Sequence, residues 1–435
     1  MDRLDIGLIS VGVALVLMAI RVPIGLALIS VSFVGIAAIS SWKAAWGVLS
    51  TIPYSFIAAW ELSAVPMFLL MGYVAARAGI TNGLFTAMRM LFSWVPGSLA
   101  VASVGASALF AAASGSSAAT SAALARIAVP EMIKAKYHKG LATGTIAAAG
   151  TLGSLIPPSI IMVIYGVFTN TAIGPLFVAG VVPGILTAIA FSAMIMMRVK
   201  LNPSLAPRSK VNLTEEERRA ALRDIWPLPT LILGVLGSIM LGIASPTEAG
   251  ALGALMAILI AWKRRSISKR MIWDSLLDTA ISTAVVFFIA IGAAMFQRLM
   301  GISQLPAFFS DSILSISDNK YVVILMIALI YLVLGMFLDS IGIMLLTLPV
   351  VLPLLVALDF NMIWFGILVV KLLEIGMVTP PLGLNVYVVK SSLGNQVDLM
   401  TVFKGAGWFI VTDLLVLTAL VAFPILSLWL PSLMD

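Results

Sequence analysis

The sequence predicts an all-α polytopic membrane protein folded as an inverted repeat, with two re-entrant helical hairpins and two helices broken at Pro-Pro pairs. Three observations predict it. The first is composition. The 435 residues are 61% hydrophobic and only 10% charged, with a mean hydropathy of +1.12. No soluble core of this length would hide that much apolar side chain. Apolar runs of the roughly 20 residues that a spanning helix needs fill most of the chain. The second is the motif Gly-x-x-x-Pro-Pro, present as Gly153-Ser154-Leu155-Ile156-Pro157-Pro158 and again as Gly376-Met377-Val378-Thr379-Pro380-Pro381. Proline lacks a backbone N–H and clashes with the preceding turn, so each pair breaks a helix. The third is that the elements flanking the two motifs recur at an offset of 222 to 223 positions.

The same composition excludes several classes of function. The net charge of +7 needs no nucleic-acid partner, because Lys and Arg cluster in short loops as the positive-inside rule expects of a protein in a lipid bilayer. With no cysteine and one histidine, His138, disulfides, thiolate chemistry and a multi-His metal site within the chain are excluded. Residues 8–20 read as part of a retained helix rather than a signal peptide.

The first repeat, residues 1–197, offers apolar runs at 5–20, 22–40 and 55–78, then an amphipathic stretch near 83–95. A hairpin at 98–130, a broken helix at 141–168 and a last span at 174–197 complete it. Residues 198–226 form a polar linker with Pro203 and Pro207, in which Thr214 and Glu217 have capping-box spacing. The second repeat, residues 227–435, runs in the same order: 227–243, 246–262, 275–299, 304–317, hairpin 320–357, broken helix 362–391 and last span 405–430. Ala78-Gly79-Ile80-Thr81 and Met300-Gly301-Ile302-Ser303 close equivalent runs. If each hairpin dips in and returns, each repeat crosses five times. An odd number inverts the second repeat. The basic stretches at 134–139, 198–223 and 263–270 then all face the cytoplasm.

Two constellations could carry chemistry. The first hairpin tip, Ser114-Gly115-Ser116-Ser117, is rich in hydroxyls and lies between arms of about 15 residues by sequence. Pro157 and Pro158 leave the carbonyls of Gly153 and Ser154 without helical partners. Such carbonyls are hard ligands suited to a dehydrated cation such as Na⁺, and half-helix N-termini can face an anion. The second tip, Gly335 to Gly342, contains Asp339. Ionisable residues inside a membrane point to function by default; Asp339 can balance cation charge, cap the returning arm, or both. Lys371 and Glu374 stand three apart on one helix and can pair. Asn385 and Tyr387 lie just past the second break. Glu61, Glu248 and Asp413 read as locally satisfied or interfacial.

Taken together, Ser114-Gly115-Ser116-Ser117-Ala118-Ala119, the stretch from Gly150 to Ser159, Pro246-Thr247-Glu248-Ala249, Phe337-Leu338-Asp339 and the stretch from Thr379 to Asn385 resemble the large membrane subunit (M or DctM type) of TRAP (tripartite ATP-independent periplasmic) transporters. The resemblance spans essentially the whole chain. It implies a Na⁺-driven importer with an elevator-type ion-transporter fold in a bacterial inner membrane. Its partners would be a small four-helix membrane subunit and a periplasmic substrate-binding protein that delivers a small organic anion. No further four-span region for the small subunit occurs within the sequence. Carried over by motif, one Na⁺ site would use Ser114, Ser116 and Ser117 with Gly153, Ile156 and Pro158. The other would use Gly335 and Asp339 with Gly376 and Thr379. Ser116, Ser154 and Asn385 are candidates for substrate contact. One departure is Asp339-Ser340-Ile341, where the family often carries Asp-Pro or Asp-Met.

Two other readings compete. A stand-alone Na⁺/dicarboxylate symporter would share the design but need no partner genes. An intramembrane enzyme would need paired carboxylates or a Cys/His nucleophile system, and none is evident.

Overall fold

Caps and prolines divide the apolar chain into helices. The computed structural model describes residues 2–80, 83–207, 215, 219 and 224–434, and among these there is no strand. The first half holds α1 (Arg3–Ala19), α2 (Ile24–Ile39), α3 (Trp42–Ile57), α4 (Ala64–Arg77), α5 (Leu84–Leu91), α6 (Ser98–Ser114), α7 (Ser117–Lys134), α8 (Lys139–Ala149), α9 (Leu152–Leu155), α10 (Ile160–Thr169) and α11 (Ile173–Leu201). The second holds α12 (Pro227–Met240), α13 (Pro246–Lys263), α14 (Lys269–Ser303), α15 (Leu305–Ile316), α16 (Lys320–Gly335), α17 (Ser340–Ala357), α18 (Met362–Gly376), α19 (Leu384–Leu393), α20 (Leu399–Ala422) and the short α21 (Ile425–Leu428). The starts follow local rules. Asp2 and Asp5 form a capping box on α1, Ser245 and Glu248 form another on α13, and Asn361 and Asp398 cap α18 and α20. The proposed Thr214–Glu217 cap and Thr81 lie outside the described residues.

The order of elements matches the sequence reading closely, with one clear difference. The run expected at 55–78 is not one helix. It is split between α3 and α4, which bend by 57° at residues 58–59. A 3-10 turn, Trp60–Ser63, fills the corner, and Pro66 sits in the first turn of α4, where a missing N–H is tolerated. Its counterpart α14 has no proline and runs unbroken for 35 residues. The helices long and apolar enough to cross a membrane are α11, α14, α17 and α20, with α3–α4 and α8–α10 as bent pairs. The arms of the first hairpin, α6 and α7, are 17 and 18 residues long, longer than the roughly 15 expected; α16 and α17 are 16 and 18 residues long.

The halves are interlocked. Helix α4 packs on α13, and α14 packs on α2; exchanging the halves maps one pair onto the other. Small residues permit the close approaches, as in membrane proteins generally. A Cβ on Gly25 would lie 2.7 Å from the Phe288 carbonyl oxygen, and one on Gly405 would lie 1.9 Å from the Gly140 carbonyl oxygen. The latter contact fixes α20 against α8. Arg77 at the end of α4 pairs with Asp278 and, at 3.4 Å, with Asp274 of α14.

Candidate functional site

In the first half the chain reverses between α6 and α7 in two residues. Gly115 makes this possible with a left-handed φ of +59°. A side chain there would be strained, and its Cβ would meet the Pro158 carbonyl oxygen at 2.9 Å. Ser116 is extended and caps α7, accepting from the Ala119 N–H. The other tip hydroxyls hold the turn to itself and to the broken helix. Ser114 Oγ and Thr120 Oγ1 are 2.8 Å apart, Ser117 Oγ and Ser154 Oγ 2.6 Å, and Ser117 also donates to the Thr151 carbonyl. Gly153 lets the break approach the tip: a Cβ there would lie 2.7 Å from the Ser116 carbonyl. Ile156 is extended, and the following Pro157-Pro158 bond is cis. Among the described residues, the carbonyls of Gly153 and Ser154 accept no backbone hydrogen bond, as the two prolines dictate.

The second half builds the same arrangement with different means. Asp339 caps α17, its Oδ2 accepting from the N–H groups of Ile341 at 3.1 Å and Gly342 at 3.3 Å. Glycine packing replaces hydroxyl bonding behind the tip. A Cβ on Gly335 would lie 2.8 Å from the Gly376 Cα, and one on Gly376 would lie 2.7 Å from the Gly335 Cα. Past the cis Pro380-Pro381 bond, Leu382 N–H returns to the Met336 carbonyl at 3.2 Å. Thr379 donates to the Ile375 carbonyl at 2.6 Å.

Both tips face one cavity of about 490 Å³, a size typical of small-molecule sites. Ser114, Ser116, Ser117 and Ser154 line it from the first half, and Asp339 and Ser340 from the second. Gly153, Ile156, Pro158, Gly335, Gly376 and Thr379 are not in the lining and sit behind the tips. Asp339 is the one charged side chain of the lining; neither Lys nor Arg contributes to it.

Asn385 is fully buried and lies outside the cavity lining. Its amide donates to the Ala147 carbonyl at 3.3 Å. That carbonyl is free because the last turn of α8 tightens: Thr151 N–H bonds to Ala148 instead. A residue of the second half thus completes the break of the first.

A separate polar cluster lies deeper. Lys371 Nζ donates to Glu374 Oε2 at 3.1 Å, to Asp413 Oδ1 at 2.5 Å and to Thr187 Oγ1 at 3.1 Å. These bonds use all three ammonium protons. The charged side chains are fully inaccessible and join α18 to α20 and α11. The Lys371–Glu374 pair follows from sequence spacing. Asp413, read from sequence as locally satisfied or interfacial, is instead the closest partner of Lys371; no local pattern links positions 42 apart.

Comparison with known proteins agrees with this architecture. The family pattern described as "Tripartite ATP-independent periplasmic transporter, DctM component" matches residues 11–426. The sialic acid TRAP transporter large permease protein SiaM of Vibrio cholerae is 35% identical over 86% of each chain. The C4-dicarboxylate TRAP transporter large permease protein DctM of the same organism is 32% identical over 89% of each. The isethionate TRAP transporter permease protein DctMQ of Oleidesulfovibrio alaskensis is 30% identical over 88% of this chain and 60% of its own length. Among solved structures, the YdaH transporter of Alcanivorax borkumensis superposes with a TM-score of 0.64 at 15% identity, covering 89% of both chains; this likeness is one of fold.

Proposed function

The chain belongs to the DctM component family of tripartite ATP-independent periplasmic transporters, and from that premise we propose that it is the large membrane subunit of a Na⁺-coupled importer of a small organic anion. A periplasmic binding protein would deliver the anion, and a small four-helix membrane subunit would brace the chain in the bacterial inner membrane. The carrying observation is the cavity. Two hairpin tips meet there with a lining that holds one carboxylate and no basic side chain. An anion entering such a wall meets Asp339 and uncompensated desolvation. Bound cations beside the tips, at Ser114, Ser116, Ser117, Gly153, Ile156 and Pro158 and at Gly335, Asp339, Gly376 and Thr379, would supply the missing positive charge. The N-termini of α7 and α17 would add to it.

The named substrates of the relatives are a sugar acid, C4-dicarboxylates and a sulfonate. All are small organic anions, and this chain is assigned that class. The exchange-related packing of α4 on α13 and α14 on α2 supports a two-fold-related repeat, and the charge placement of the loops favours the inverted form of it. In the elevator reading, hairpins and broken helices move as one body against α1–α4 and α12–α14. The test is uptake into proteoliposomes with the cognate binding protein. Uptake is expected only with an inward Na⁺ gradient; equal uptake when K⁺ replaces Na⁺ removes the coupling.

A further inference from the structure

The cavity has a second wall, formed by α4 and α14, which meets the first tip where Gly72 packs against Ala113 and Ser114. Its residues are apolar apart from Tyr73 and Ser282, which come from different halves and are hydrogen-bonded at 2.7 Å. The tip hydroxyls Ser114, Ser117 and Ser154 are engaged with neighbouring tip or break groups. Ser116 Oγ only accepts, from the Ala119 N–H, and Ser340 Oγ has no hydrogen-bond partner, so the tips keep donors of their own; the wall pair adds one from α4 and α14. Two hydroxyls carry two protons, and their mutual bond uses one. Among the described residues neither oxygen has a further hydrogen bond; the Arg77 guanidinium, one turn along α4, interacts electrostatically with Tyr73. One donor is therefore left at the cavity wall, where the lining holds no basic side chain.

We propose that the Tyr73–Ser282 pair is a specificity-determining hydrogen-bond donor that receives a carboxylate or sulfonate oxygen of the substrate from the α4–α14 wall. This rests on the reading of the cavity as the organic-anion site. Tyr73 polarises Ser282 or the reverse, and whichever proton remains free meets the anion. A charge-assisted bond of this kind is stronger than the hydroxyl–hydroxyl bond beside it. The pair spans two helices, so it also fixes the position at which the anion is gripped.

The absence of cysteine allows a direct test in the full-length protein. Ser282→Cys and, at the first hairpin tip, Ser116→Cys are labelled with an anionic thiosulfonate reagent, with sialic acid, succinate or isethionate present in Na⁺ or in K⁺. One of these anions is expected to slow labelling at both positions in Na⁺ and at neither in K⁺. Adding Tyr73→Phe and Ser282→Ala together to Ser116→Cys, which removes both hydroxyls and so every donor of the pair, is expected to raise the half-protecting anion concentration roughly tenfold or more, with the Na⁺ dependence of protection unchanged. Protection at 116 without protection at 282 overturns the pair while the cavity reading stands. Protection at neither position overturns the cavity reading itself. An unchanged half-protecting concentration in the background lacking both hydroxyls overturns the donor role.

Discussion

The two halves reach one geometry by different chemistry. In the first, α3 and α4 bend by 57°, the tip is held by hydroxyls, and the helix break is completed by Asn385 from the other half. In the second, α14 runs straight for 35 residues, the tip is held by one carboxylate cap, and two glycines touch backbone to backbone. The interior differs as well. At the 223-residue offset of the two Gly-x-x-x-Pro-Pro motifs, Lys371, Glu374 and Asp413 correspond to Ala148, Thr151 and Ala190. The first half places small uncharged side chains where the second buries three charges, and the Phe191 ring lies 5.8 Å from Lys371 Nζ. A repeated backbone therefore does not require repeated side chains. Hairpin, break and close approach are preserved, while the groups that stabilise them are exchanged.

This contrast can be broken at its strongest point first. Lys371→Met would leave two carboxylates buried without a cation, at a cost of about 3–5 kcal/mol; loss of folded protein on size exclusion is expected. Converting Lys371, Glu374 and Asp413 together to Met or Leu, toward the uncharged pattern of the first half, should restore the folded peak. If the triple variant stays unfolded while Lys371→Met folds, the cluster is not an ion network held by mutual compensation.

Next in size are the glycine contacts. Gly335→Ala and Gly376→Ala each drive a Cβ to within 2.8 Å of the opposing backbone, and about 1–3 kcal/mol of destabilisation is expected in thermal melting. Gly153→Ala meets the Ser116 carbonyl at 2.7 Å, and a drop of similar size there would show that both halves depend equally on close approach.

Asp339→Asn separates two roles that the sequence left open. Asn caps a helix about as well as Asp, so melting should be unchanged. The Na⁺ concentration for half-maximal uptake should rise roughly tenfold from the lost charge. An unaltered Na⁺ dependence would leave Asp339 with capping alone. The smallest effects belong to Ser116→Ala and Thr379→Ala. Each removes one hydroxyl, at about 1 kcal/mol or less, and should weaken Na⁺ activation while expression is retained. Unchanged activation in both would remove these side chains from the ligand set.

Local chemistry explains what could be read in advance. Pro-Pro pairs, Gly115 and the hydroxyl cluster act within a few residues, so the breaks and tips are visible in sequence. Helix α16 starts at Lys320 and α17 ends at Ala357, with the tip around Asp339 between them. What escaped depends on distant partners. The Asp413 and Asn385 contacts join positions 42 and 238 apart, and Tyr73–Ser282 joins positions 209 apart. The α3–α4 bend escaped for another reason: residues 55–78 are apolar on both sides of the corner, and hydropathy does not register a change of direction.

The Asn385–Ala147 bond bears on how the protein is made. During synthesis α8 enters the bilayer more than two hundred residues before its partner exists. Until α19 arrives, the Ala147 carbonyl has no protein donor in a medium that offers none. The first half is thus an unfinished object throughout most of translation, completed only when α19 arrives, with α20 still to insert. A chain interrupted after α18 would already have most of its helices and would still expose that defect to lipid or to the machinery that disposes of unassembled membrane segments.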